Sequence, residues 1–329
     1  MAGTNTNVVS YLGELFRSGR RPNNFLKLIG GIQGGVMETS SRQFPVAVLY
    51  SLRAPSQSYV AEEGANAPTA QTRTLTQATN VIEIHQETVQ LTYLGSSEKA
   101  VGGIVPLPQG SANGPVQNPR SEAWQVMTAM DTISQDLNFA FVQGVYANPG
   151  DATATALQTR GIVNAIVTNL IDNSGVTSST ITDAIYRGYI EALVQQVVTS
   201  NGYNPDDTWT FFGDAAQYAN IQASYEALGT IYLQPETEFA GIKIRRILTR
   251  YGTVNIVLEP DMPANQVLLA DLSVVSPVGM PVPGKGILFA EPLAKTGSAD
   301  NIQIYGQLGL DHGPEFAHGL LKVPGGLSL

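Results

Sequence analysis

Cysteine is absent from this chain of 329 residues, histidine occurs three times, and charged residues make up only 14%. Without cysteine there is no disulfide framework, no thiolate metal site and no thiol nucleophile, and nothing demands an oxidising compartment. With histidine confined to His85, His312 and His318, acid–base and metal chemistry have few places to reside. No stretch approaches the ~20 apolar residues of a membrane helix. The polar start, Met1 to Ser10, lacks the apolar core of a secretion signal. A soluble chain with no membrane partner is expected. The shortage of charge, against roughly 25% in average soluble proteins, sits beside 43% apolar residues, so much of the polar surface is uncharged. Such a surface suits a protein held in lasting contact with others, because interface centres are depleted in Lys, Glu and Asp; a weakly charged monomer is the competing reading. The formal net charge of −9 argues against a chain built to grip nucleic acid. The basic run Arg17, Arg20, Arg21 and Lys27 reads as a solvated face.

At this length one hydrophobic core rarely suffices, and about two packed units are expected. Residues 1 to 42 are rich in Asn, Gly, Arg and Ser, with an amphipathic stretch at Val8 to Phe16 and a glycine-rich run from Gly30 to Gly35, which reads as an arm. Phe44, Val46, Val48 and Tyr50 alternate at the two-residue period of a strand. Pro55 to Thr79 is nearly devoid of large apolar residues and cannot bury enough surface to fold alone. Ile82, Ile84, Val89, Leu91 and Tyr93 form a second alternating run, expected to pair with the first as a long exposed hairpin. Asn118-Pro119-Arg120-Ser121-Glu122 carries helix-start chemistry. From Ser121 to Gly144 an apolar stripe of Trp124, Met127, Met130, Ile133 or Ser134, Leu137 and Phe141 predicts one helix of about 24 residues, about 36 Å long. Further helices are expected at Thr182 to Thr199, with Ile185, Tyr189, Leu193 and Val197 inward, and near Asp214 to Leu228. Strands are expected at Thr208 to Phe212, Ile242 to Ile247, Val254 to Leu258, Val267 to Asp271, Ile287 to Ala290 and Ile302 to Leu310. No internal repeat is visible.

Candidate chemistry is sparse. Asp311, His312, Glu315 and His318 cluster near the end and could face one ion or serve a small hydrolase. Their spacing matches no tight helical zinc pattern, and Gly313 and Pro314 interrupt it. Gly279-Met280-Pro281-Val282-Pro283-Gly284-Lys285 has the glycine spacing of a phosphate loop. Pro281 and Pro283 lack the amides that cradle phosphate, Gly286 replaces the magnesium-binding hydroxyl, and no helix pattern follows, so a Pro/Gly turn is expected. The pairs Glu62–Glu63 and Asp206–Asp207 read as solvated turns. No catalytic, cofactor-binding or metal-binding residue is assigned, and no cofactor is expected.

The element order resembles that of the major capsid proteins of tailed bacteriophages, the Hong Kong 97 shell fold, in the branch ending in paired tail strands. The matching residues are Ser121 to Gly144 for the spine helix, Thr159 to Ile166 for the segment after it, and Tyr251 to Val257 and Pro263 to Leu272 for late axial-domain strands. Ala294 to Asp300, Tyr305 to Leu310 and His318-Gly319 resemble the C-terminal strands. The resemblance implies an α+β, Hong Kong 97-like fold divided into an N-terminal arm and first strand (1–52), an extended β-hairpin loop (53–98) and a peripheral domain with the spine helix (99–155). An axial domain (156–274) and a return to the peripheral domain (275–329) complete it. It implies a non-enzymatic subunit that associates with itself as hexamers and pentamers into an icosahedral shell. The shell would enclose double-stranded DNA without specific binding, with portal and scaffolding or decoration proteins as partners, in a virion assembled in the host cytoplasm. A cleaved N-terminal scaffolding domain ahead of the arm is not expected. An encapsulin-type compartment shell is the alternative of the same fold, a hydrolase using Asp311, His312 and His318 the alternative of another class, and a secreted adhesin lacks its signal.

Overall fold

The fold follows from a computed structural model that describes residues 22–31, 36–50, 57, 60, 62–66, 75–93, 122–150, 156–201, 209–228, 233–239, 242–295, 297–327 and 329. The Val8 to Phe16 stretch, Arg17 to Arg21, the start signals Asn118 to Ser121, the Trp124 side chain and Asp206–Asp207 lie outside the described residues.

The chain begins with a short arm helix, α1 (Asn24–Leu28), and strands β1 (Met37–Glu38), β2 (Gln43–Tyr50), β3 (Leu75–Val81) and β4 (Glu83–Thr92). The spine helix α2 (Glu122–Gln143) follows, then α3 (Ile162–Ala165) and β5 (Leu170–Asp172). A compact stretch contains α4 (Asp183–Asn201), β6 (Trp209–Gly213), α5 (Ala215–Glu226), β7 (Leu233–Phe239), β8 (Ile242–Thr249), β9 (Gly252–Leu258) and β10 (Gln266–Asp271). Strands β11 (Ser276–Gly279), β12 (Leu288–Pro292), β13 (Ala299–Asp311) and β14 (Gly319–Lys322) close the chain.

Three sheets organise these elements. Seven strands run in the order β5-β14-β10-β6-β9-β8-β7, five strands are centred on β13, and β2 and β3 form a separate ribbon. The central strands β6 and β10 of the seven-stranded sheet are buried on both faces, and their side chains are mostly apolar. Along β6, Phe211 points to a core with α4 and α5, while Phe212 points to a core with α1 and α2; on β10, Leu269 and Leu268 divide the same way. Period-two alternation thus feeds two cores from one strand. Asp214 starts α5 by accepting a hydrogen bond from the Gln217 amide at 2.8 Å. Of the segment 275–329, strands β11, β12 and β13 belong to the five-stranded sheet, whereas β14 crosses into the seven-stranded sheet between β5 and β10.

Several expectations are corrected. β2 pairs antiparallel with β3, from Gln43–Val81 to Tyr50–Leu75, and not with the Ile82-to-Tyr93 run. That run forms β4, which pairs along its length with β13, where ten consecutive residues find partners. Leu75 to Thr79, part of a stretch read as unable to fold alone, is ribbon strand because it pairs with β2, which supplies buried side chains. The spine helix spans the predicted residues, but its buried stripe is Ala129, Ile133, Leu137 and Phe141, with Met127 and Met130 each 38% exposed. On α4 the inward residues are Tyr186, Ile190, Leu193, Val194 and Val197, and Ile185 is exposed. Ile133, Leu137 and Phe141 on the spine and Leu193 and Val197 on α4 lie inward as read, while Ala129 is buried in place of Met130 and Tyr186 and Ile190 in place of Ile185, since hydrophobic spacing sets a face only to within a turn's width. Strands β1, β5, β7, β11 and β14 escape sequence reading: all but β7 are very short, and β7 contains Pro235 and two glutamates.

Candidate assembly surface

The β2–β3 ribbon is buried at one end and exposed at the other, and its construction explains how it can project. At its base Phe44, Val46 and Ile82 pack with Val278 and Met280. Burial rises along β3 from an exposed Leu75 at the far end to a fully buried Asn80. The connection between the strands is exposed at every described position (57, 60 and 62–66), and Val60 is 79% exposed. Glu62 and Glu63 lie in that connection, in a turn closed by the Ala65 amide donating to the Glu62 carbonyl at 3.1 Å.

Asn80 is the root of the ribbon. Its amide nitrogen donates to the carbonyls of Leu310 (2.8 Å) and Arg160 (3.1 Å), and its oxygen accepts from the amides of Arg160 (2.8 Å) and Val81 (2.9 Å). All the capacity of a buried asparagine is used, which fixes both its orientation and the direction in which the ribbon leaves the body. Beside it, Glu83 accepts from the Thr159 amide at 3.1 Å, and the Thr159 hydroxyl accepts from the Leu310 amide at 3.2 Å. Burial raises the Glu83 carboxyl, the Thr159 amide opposes that, and Asp136 on the spine helix adds repulsion. The Asp136 carboxyl is itself raised by burial. His85, buried on β4, is held down to about 4 by burial and is neutral near neutrality. Sequence reading missed Asn80; its signal is a lone asparagine directly before the apolar pair Val81-Ile82.

The C-terminal cluster is structural. His318 is wholly buried; the Asp271 amide donates to its Nδ1 (3.2 Å), so the proton sits on Nε2, which donates to the His312 carbonyl (2.6 Å). Burial lowers both histidines, His312 to about 4. Asp311 accepts from the Gly313 amide (2.9 Å), and its carboxyl is raised by burial against that bond. Glu315 turns away to the amides of Val167 and Thr168 (2.9 Å each) and the Thr168 hydroxyl. Burial raises its carboxyl, but those donors prevail and its net shift is downward. The four residues do not converge on a common point, and among the described residues no three His, Asp or Glu side chains are placed to hold a metal ion. The glycine-spaced segment at 279–285 is a turn: Val282 and Gly286 exchange backbone hydrogen bonds, and Gly284 adopts φ 78°. Lys285 pairs with Glu291 on the following strand.

One groove of about 520 Å³ runs between α4, the end of α5 and the β8–β9 turn. Its carboxylate, Glu191, accepts from the Tyr225 hydroxyl and the Arg250 amide, both at 3.2 Å, and Arg187 donates to the Ser224 carbonyl at 2.9 Å. Burial and Glu191 together push the Tyr225 hydroxyl far up, so it stays protonated. The groove holds no activated nucleophile with a base.

The sequence model of the SU10 major capsid protein family matches residues 1–324. Among curated proteins none matches. Among solved structures, the chain is similar to the capsid of a native GTA particle (14% identity, TM-score 0.59, 98% of this chain and 97% of that one). It is also similar to the capsid of the cyanophage P-SCSP1u (10% identity, TM-score 0.59, 97% and 93%). A third likeness is to the SrpI encapsulin of Synechococcus elongatus PCC 7942 (11% identity, TM-score 0.58, 97% and 95%). At such identities these likenesses speak for the fold.

Proposed function

The chain belongs to the SU10 major capsid protein family, and from that premise we propose that its copies assemble through hexamers and pentamers into an icosahedral shell around a double-stranded DNA phage genome. It is a structural, self-assembling component of a virion with the Hong Kong 97-like fold, and not an enzyme. The observation that carries the finer reading is the ribbon. It is rooted by Asn80 and a small apolar base, yet its described connection buries nothing of its own, so a neighbouring copy is the natural surface to cover it.

In this reading residues 1–52, 53–98, 99–155, 156–274 and 275–329 act as arm with first strand, extended loop, peripheral domain, axial domain and return. The last of these also sends β14 into the axial sheet. Packaged DNA is confined without specific binding, consistent with the net charge of −9. Portal and scaffolding or decoration proteins complete the partners, and assembly takes place in the host cytoplasm. An encapsulin shares the fold, but the family match over 1–324 favours the virus. The test is expression of the whole chain and imaging of purified particles. Closed shells are expected; a species that remains monomeric at every concentration and salt refutes the reading. Deleting residues 55–74, which leaves both ribbon strands intact, should weaken or abolish shells, and unchanged shells would remove the role assigned to the loop.

A further inference from the structure

We propose that Glu259, Asn138 and Asp261 form a proton-sensitive latch that holds the arm helix α1 against the spine helix α2 and the end of β9. The geometry is closed on every side. Glu259 has no exposed surface; its Oε2 accepts from the Phe25 amide (2.7 Å), and its Oε1 accepts from Asn138 Nδ2 (3.0 Å) and the Asp261 amide (3.2 Å). Asn138 joins the two halves: its Oδ1 accepts from the Leu26 amide (2.9 Å) while its Nδ2 also donates to Asp261 Oδ2 (2.6 Å). Two more polar contacts tie the arm down, Asn24 to the Leu258 carbonyl (2.6 Å) and Asn23 to Ser134 (2.7 Å). Phe25, Leu26 and Ile29 are inserted into the same core as Ile133, Leu137 and Phe141, with the Phe25 ring edge-on to Phe212 at 5.4 Å.

The groups that face Glu259 are few. The arm offers backbone amides, Asn24 and the Phe25 ring, with Lys27 exposed. The spine offers Asn138, while Asp136 acts on Glu83 instead. From β6 the Gly213 carbonyl accepts the Glu259 amide (2.9 Å), and Asp214 spends its carboxylate on α5. Asp261, on the same turn, is the charged group that acts on Glu259. Burial, chiefly, and the Asp261 charge push the Glu259 carboxyl up to about 7, against three hydrogen bonds that favour the anion. Docking the arm therefore takes up a proton. The docked state is tightest below the ordinary value of 4.5, weakens as pH rises towards about 7, and levels off above it.

Hydrogen exchange of assembled full-length shells tests this, read on the peptide carrying Phe25 and Leu26 and corrected for intrinsic exchange. Protection should fall by up to about tenfold per pH unit between 4.5 and about 7, while peptides from α4 show no such fall. Glu259→Gln should abolish the slope. Flat protection in the wild type, or an unchanged slope in E259Q, overturns the proposal. Should E259Q not assemble, tryptic cleavage after Lys27 in wild-type shells, normalised to unfolded chain at each pH, decides the matter. Cleavage that rises with pH over this window supports the latch, and cleavage that does not refutes it.

Discussion

Asn80, Gly161 and the buried histidines show how single residues carry this fold. Asn80→Ala removes the side-chain partner of two carbonyls and two amides inside the protein. It should lower unfolding stability by about 2 to 4 kcal/mol, read from denaturant melts of dissociated subunits. Gly161 is required for space: a Cβ there would lie 2.5 Å from the Gly144 nitrogen and 2.8 Å from the Ala140 carbonyl oxygen, all of it backbone. Gly161→Ala should yield little soluble subunit. Gly188, in the middle of α4, has nothing within 4 Å of the position that an added methyl would take, so Gly188→Ala should raise stability by about 0.5 to 1 kcal/mol. A lower melting temperature for G188A would mean that α4 packs more closely than described. His85 and His312, both held near 4 from an ordinary 6.5, make the opposite contribution to pH dependence from Glu259. Their folded values are depressed, so the stability they allow is present above 6.5 and lost as pH falls towards 4. Global denaturation should therefore become easier in acid while the arm itself becomes better protected, and His85→Gln should reduce the global loss.

At the scale of elements, the spine helix and the ribbon separate what pattern reveals from what pairing decides. A three-to-four spacing announces a helix of the observed length, but its polar and apolar edges are too similar to tell Met130 from Ile133. Ile133 and Leu137 are buried as the spacing predicts, but only contact with β4, β13 and the arm leaves Met127 and Met130 outside. Leu137→Ala should cost about 2 to 5 kcal/mol and Met127→Gln less than about 0.5. Equal losses in thermal melts would restore the stripe read from spacing. The ribbon is the sharper case. Alternation marks the strand at Phe44 to Tyr50 and the run from Ile82 onward, yet strand pairing depends on surfaces far apart in sequence. β4 finds β13 more than two hundred positions away, whereas the polar segment Leu75 to Thr79 becomes the partner of β2.

At the scale of the whole molecule, charge and connectivity govern behaviour. With a net charge of −9, free duplex DNA added to empty shells should remain unbound at about 0.15 M salt; retention in a sedimentation assay would point to a basic inner face. The arm, the spine and both large sheets meet in one core, so the first described residues are locked by the last third of the chain. Composition and residue order alone determined the absence of thiol chemistry, the helix at 122–143, strands β6, β8, β9 and β10 of the compact unit and the resemblance to a capsid subunit, because these depend on local chemistry and on the order of elements. The strand partners, the faces of the helices, the crossing of β14 and the buried Glu259–Asn138–Asp261 cluster were decided only by tertiary structure. They depend on which distant side chains share one dry volume, and no local period of the sequence encodes that.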